Sequence, residues 1–89
     1  MRGNLLKNDT ASYIVAVEYI VEESGAYYDG GLLDWEGTFI PDMPVTLSAD
    51  NFILELEDGR RGRITIVSKR AMEDRPTLFR FTGRRLQST

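Results

Sequence analysis

Residues 52–67 read FILELEDGRRGRITIV, and this stretch decides the fold because it predicts a β-hairpin. Apolar residues occupy every second position on both sides of a central Glu57-Asp58-Gly59 segment. That period of two is typical of strands with one buried face, and Asp-Gly is a common turn pair between two such strands. The hairpin therefore predicts a fold that contains an antiparallel β-sheet.

The register of this hairpin follows from which pairing keeps the apolar residues together. A two-residue Asp58-Gly59 loop sets Leu54 opposite Arg63, so that apolar and charged residues share a face. A three-residue loop, Glu57-Asp58-Gly59, sets Leu54 opposite Gly62 and puts Gly59 in the left-handed position of a bulge. A one-residue change of register turns every side chain to the other face, so we predict the three-residue loop. The expected pairs are Phe52–Ile64 and Leu54–Gly62 on the inner face, with Ile53–Arg63 and Glu55–Arg61 on the outer face.

Strand patterns recur along the rest of the chain. We predict a loose arm over residues 1–11, strands over 12–21, 32–40 and 77–82, a short edge strand over 45–48, and a polar tail over 87–89. Trp35, Phe79 and Phe81 are expected in the core. Ser68 and Pro76 bracket a charged segment that is interpreted either as a short helical turn near 69–75 or as a loop. The predicted fold is all-β, a small antiparallel barrel or sandwich of five to six strands, with a single domain over residues 12–86.

The order of these elements is similar to that of SH3-like barrels: strand, long loop, strand, strand, tight hairpin, short helical turn, final strand. The similarity is one of element order. The acidic-aromatic loop motif and paired tryptophans of proline-binding SH3 domains are missing from this sequence, so the resemblance implies a barrel topology and no ligand.

Composition narrows the function classes. The chain has 89 residues, no cysteine and no histidine, so disulfides, thiolate metal sites and the common nucleophile–base pairs are excluded. Carboxylates such as Asp34 and Glu36 are interpreted as a hydrated strand face rather than a catalytic or metal site. We therefore expect no catalytic residues, no metal and no cofactor. The sequence shows no basic-then-apolar signal and no long apolar run, so we expect no membrane partner and a cytoplasmic location.

The net charge of −3 is unevenly distributed. Residues 1–50 carry nine acids and two bases, whereas residues 51–89 carry five acids and nine bases. One interpretation is that the two halves interleave in space and attract each other. The other is a two-faced surface whose basic side is available to an anionic partner.

Two groups of residues are candidate binding surfaces. Tyr27 and Tyr28 lie near the tip of a loop and are interpreted either as a lid that folds back on the small core or as anchors for a protein partner, a role in which tyrosine is common. A basic set is the candidate surface for anions or nucleic acid, and it consists of Arg61, Arg63, Arg80, Arg84 and Arg85. We expect a non-catalytic module that binds another protein or assembles with itself. The alternative is a nucleic-acid-binding barrel that uses the arginines.

Overall fold

The structure is a computed structural model, and it describes residues 1–23, 27–28, 31–32, 34–47 and 49–87. Within those ranges, only the backbone is described for residues 23, 27, 28, 31, 32, 34, 72, 75 and 84–87.

Six strands of the described chain close into an antiparallel barrel. Its order is β1-β2-β5-β8-β7-β6, and β3 pairs with β4 in a separate two-stranded ribbon. The prediction of an all-β antiparallel fold is confirmed, and the closed order selects a barrel over a sandwich. The SH3-like element order stays a prediction. The strands are β1 (Arg2–Lys7), β2 (Tyr13–Glu23), β3 (Tyr27–Tyr28), β4 (Gly31–Leu32), β5 (Asp34–Pro41), β6 (Asn51–Glu55), β7 (Arg61–Met72) and β8 (Arg75–Gln87).

The predicted hairpin register is confirmed. β6 and β7 pair Phe52 with Ile64, Leu54 with Gly62, and Glu55 with Arg61. The Leu56 amide donates to the Arg60 carbonyl at 2.8 Å, which closes a three-residue loop. Gly59 has a φ of 91°, the left-handed conformation expected of its bulge position.

The barrel interior is filled by alternate residues of all six strands. Trp35, Phe39 and Phe81 are each at most 1% exposed, and the Trp35 ring meets Phe81 edge-on with centroids 5.1 Å apart. The expected core positions of Trp35, Phe79 and Phe81 are confirmed. The buried cluster comprises Leu5, Val15, Val17, Tyr19, Trp35, Phe39, Phe52, Leu54, Leu56, Ile64, Phe79 and Phe81.

The prediction of a loose arm over residues 1–11 is wrong for Arg2–Lys7. These residues form β1, which pairs with β2 on one side and β6 on the other. Leu5 is fully buried, opposite both Val15 and Leu54. The two adjacent leucines, Leu5 and Leu6, do not alternate with polar residues, so the segment carries no strand pattern.

The expected helical turn near 69–75 and its loop alternative are both wrong. β7 continues to Met72, and a tight turn at Glu73 and Asp74 leads into β8, with Asp74 at a φ of 61°. The expected edge strand over 45–48 is also absent from its described part, since residues 45–47 have no strand conformation and residue 48 lies outside the described residues.

Trp35 is packed against the backbone of Gly83, its partner across β5 and β8. A Cβ added at Gly83 would come within 2.5 Å of Trp35 Nε1, closer than any van der Waals contact allows. That Nε1 is buried without a hydrogen-bond partner among the described residues. The barrel thus accepts an unpaired donor, at a cost of about 1–3 kcal/mol, in order to bury its largest ring.

Gly83→Ala is expected to lower the free energy of unfolding by about 1–3 kcal/mol because the new methyl group overlaps the Trp35 indole. Urea denaturation measures the loss. The double variant with Trp35→Phe should lose less than the two single changes combined, since the smaller ring leaves room. Additive losses would mean that the two residues do not compete for the same space.

Gly59→Val is expected to cost about 1–2 kcal/mol because a β-branched residue tolerates positive φ poorly. Gly59→Asn is the matched control and should cost less, since asparagine visits this conformation more readily. Thermal melting of both variants checks the expectation. A Gly59→Val variant with an unchanged melting curve would contradict the three-residue loop.

Candidate functional site

The barrel has two walls of opposite charge. β1, β2 and β5 are consecutive in the barrel, and β8, β7 and β6 follow them as a second consecutive set. The first three strands carry five acids and two bases, and the second three carry eight bases and one acid, Glu55. The interpretation that the two halves interleave is therefore wrong for the barrel strands. We call the second set, β6–β7–β8, the basic wall.

The predicted arginines all lie on the basic wall, but in different settings. Arg61 Nη2 binds Glu55 Oε2 at 2.8 Å, so its charge is compensated. Arg63 is exposed and lies opposite Arg84 of β8, which brings those two positions together. Arg80 lies opposite Ser68, two rows farther along β8, or about 13 Å from the Arg63 row. Arg85 belongs to an irregularity between the Arg61–Gln87 and Arg63–Arg84 pairs.

Thr65 and Thr82 form the row between Arg63 and Arg80, and Glu36 of β5 continues it beside Thr82. The arginines therefore do not form an unbroken row, since a polar row that includes a carboxylate separates them.

Arg2 and the terminal ammonium of the opposite wall form ion pairs with acids near them. Arg2 binds both Asp42 and Glu18, and the terminal ammonium of Met1 donates to Glu18 Oε1 at 2.8 Å. The Arg2 guanidinium lowers the pKa of Asp42, and the terminal ammonium lowers the pKa of Glu18. These contacts neutralise Glu18 and Asp42. The net negative charge of this wall therefore comes from Glu22, Glu36 and the other strand carboxylates.

The β7–β8 hairpin extends beyond the barrel with an open strand edge. The last pair between β6 and β7 is Asn51–Thr65, after which the Ile66 amide donates to the Asp50 carbonyl at 2.7 Å. From residue 67 to 72, no described strand pairs with β7 on the β6 side. We call this segment, residues 67–72, the β7 edge. Its backbone groups on that side are a template for another strand.

A one-residue bulge at Val67 decides which side chains of the β7 edge face inward. Ile66 lies opposite Phe81 and Ser68 opposite Arg80, so Val67 is the extra residue. The inward set changes from even to odd positions, and Lys69 lies opposite the buried Phe79. Without the bulge, the sequence pattern would put Ser68 and Arg70 inside, which is why sequence reasoning ended the strand near Val67.

A groove of about 420 Å³ runs beside the β7 edge. One side consists of the inward side chains of the hairpin, including Lys69, Ala71 and Phe79. The other side is the segment between β5 and β6, from which Val45 and Leu47 pack against the core while still lining the groove. An open backbone edge therefore lies beside a groove whose lining is partly apolar and partly polar.

Tyr27 and Tyr28 lie at the opposite end of the barrel from this edge. They form β3 and pair with Leu32 and Gly31 of β4. Their ribbon connects the end of β2 to the start of β5, where Asp34 pairs with Arg84 near the end of β8. The β7 edge adjoins the start of β8, so the structure separates the two candidate surfaces. The tyrosine side chains lie outside the description.

The described part of the chain contains neither a candidate metal site nor a candidate transmembrane helix. There, no three Asp or Glu side chains are grouped closely enough to hold a metal ion. Across the same residues, no helix has the length and apolar character needed to span a bilayer.

No protein-family model matches the chain, and no curated protein or solved structure is significantly similar to it. The proposals below therefore rest on geometry and charge alone.

Glu55→Gln is expected to reduce stability at neutral pH by about 0.2–1 kcal/mol. Hydrogen bonds from Asn4 and then Arg61 lower the pKa of Glu55. A lowered pKa stabilises the fold above the unfolded value of about 4.3, and this gain is lost as the pH falls through the folded value. The wild-type advantage in urea denaturation should therefore disappear in acid. Arg61→Ala is the control and should retain the part of this dependence that Asn4 supplies. An advantage independent of pH would contradict the assignment.

Proposed function

We propose that this chain is a non-catalytic β-barrel module that binds another protein by accepting a strand of that protein on the β7 edge. The observation that carries the proposal is the continuation of β7 for seven residues, 66–72, beyond its last pair with β6. Strand addition to an open edge is an established mode of peptide recognition, in which main-chain hydrogen bonds supply affinity. Neighbouring pockets for alternate side chains supply specificity.

The other edge of the hairpin supports this assignment. β8 pairs with β5 only from Phe39–Phe79 onward, so the start of β8 has no described strand on the β5 side. Exposed Pro76 lies on that stretch and has no amide to donate. Proline is a common means of protecting an edge from pairing. The β7 edge has no proline, and its amides remain competent donors.

Ladder geometry identifies which amides face the partner. Ile66 lines the groove and donates away from β8, to Asp50. Residues of one strand whose side chains share a face direct their backbone groups to the same side. Lys69 and Ala71 also line the groove, so their backbone groups point to the open edge.

The non-catalytic part of the proposal rests on composition, because the sequence lacks histidine and cysteine. We also propose a cytoplasmic location, which is compatible with a protein partner. Self-assembly through the same edge and a partner surface at Tyr27 and Tyr28 are the other forms of this proposal.

Nucleic-acid binding is the second candidate, and the eight bases of the basic wall favour it. Two features rank it below protein binding. Arg61 is neutralised by Glu55, and the aromatic residues Phe52, Phe79 and Phe81 of this wall are buried and unable to stack on bases. An open backbone edge, in contrast, recognises polypeptide.

Ala71→Pro is expected to weaken strand addition by about tenfold or more because it removes an edge amide. Ala71→Val is the matched control, since it keeps the amide and adds strand propensity. Random heptapeptides displayed as a library and selected on the wild-type protein provide the probes. Selected peptides should bind wild type and Ala71→Val alike and perturb the amide NMR signals of residues 66–72. Peptides that bind Ala71→Pro equally well would contradict the proposal.

A further inference from the structure

The groove beside the β7 edge suits small or medium apolar side chains. Ala71 contributes little volume, and Val45, Leu47 and Ile66 supply apolar surface. A strand added to β7 directs every second side chain to this inner face, since the period of a strand is two. The inward positions of the partner are therefore apolar.

The outer face of the same hairpin is basic. Arg70 lies on the edge strand opposite Leu78, and Arg80 lies opposite Ser68 on the neighbouring strand. Arg70 and Arg80 are exposed, as is Lys69 on the groove side of the hairpin, and none of the three forms an ion pair or a side-chain hydrogen bond with another described residue. These charges lie close to the open edge, unlike Arg61, whose charge Glu55 already neutralises.

We propose that the β7 edge binds an extended acidic segment in which carboxylate side chains alternate with apolar ones. The apolar residues enter the groove, and the carboxylates lie on the outer face beside Arg70 and Arg80. This inference rests on the proposed function and adds the chemistry of the partner to it. Cross-strand pairs of opposite charge stabilise antiparallel strand pairs.

A second copy of this chain fits the same edge less well. Two-fold pairing brings each residue of the edge against the same segment of the other copy. Lys69 and Arg70 of one copy would then lie beside Lys69 and Arg70 of the other, and like charges across a strand pair are destabilising. An acidic segment of a different protein removes that repulsion.

The test compares two acetylated and amidated heptapeptides, one alternating glutamate and valine and the other alternating lysine and valine. The glutamate peptide should bind at physiological salt about tenfold more tightly than the lysine peptide, as a few surface charge pairs predict. It should perturb the amide signals of residues 66–72 and lose its binding in Ala71→Pro. Equal binding of the two peptides would overturn the inference.

Charge reversal of the edge provides the matched comparison. The double variant Lys69→Glu with Arg70→Glu should reverse the order of the two peptides. Arg63→Glu, on the same wall but more than a screening length of about 8 Å from the edge, should leave the order unchanged. If Arg63→Glu reduces the preference as much as the double variant does, the attraction belongs to the whole wall and the inference is wrong.

Two further outcomes separate this inference from the proposed function. One outcome is that library peptides need the Ala71 amide for binding but show no preference for acidic residues. That result would support strand addition and contradict the inference of an acidic partner. Oligothymidylate that displaces the glutamate peptide, and binds wild type and Ala71→Pro alike, would overturn both in favour of nucleic acid. Concentration-dependent association in light scattering, abolished by Ala71→Pro, would replace the acidic segment with a second copy.

Discussion

Closure of the barrel depends on β1, because this strand joins the first and last members of the sheet. It pairs with β2 through Leu5–Val15 and with β6 through Leu5–Leu54, so one fully buried leucine lies at the centre of the seam between the two walls. Asn4 extends the connection to the outer face by donating to Glu55 at 3.0 Å. Without β1, strands β2 and β6 would each present a long unpaired edge, and the core would open between them.

Closure also gives the β7–β8 hairpin its significance. A closed barrel leaves no edge along its wall, so pairing with another polypeptide is confined to elements that continue past it. The hairpin does so at one end, while the β3–β4 ribbon extends the β2–β5 pair at the other. The basic charge of β7 and β8 runs into the hairpin, and the acidic charge of β2 and β5 runs towards the ribbon. The exposed bases Arg70 and Arg80 therefore lie close to the open backbone edge, whereas Arg63 and Arg84 lie towards the other end of the basic wall.

The sequence predicted best where alternation is uninterrupted. In this hairpin the inward residues Phe52 and Leu54 lie opposite Ile64 and Gly62, so only one register buries the inward set, and the pairing and the loop were predicted in detail. Prediction failed where one residue is inserted. The bulge at Val67 changes the inward positions, so Lys69 and Ala71 line the groove in a segment with no apolar pattern. The irregularity opposite Leu5 and Leu6 has the same effect in β2, where Ile14 is the extra residue. The candidate edge was missed for this reason, since its defining property is a backbone without a neighbour rather than a residue type.

The extra residue at Val67 also separates the evolution of the edge from that of the core. A register without the bulge, in which Val67 pairs with Arg80, would turn Ser68 and Arg70 inward, while Lys69 and Ala71 would turn outward. The barrel residues up to Ile66 would keep their places, because the shift acts only on the part of the hairpin that projects. A change that removes the bulge but keeps the chain length would thus exchange Lys69 and Ala71 on the inner face for Ser68 and Arg70.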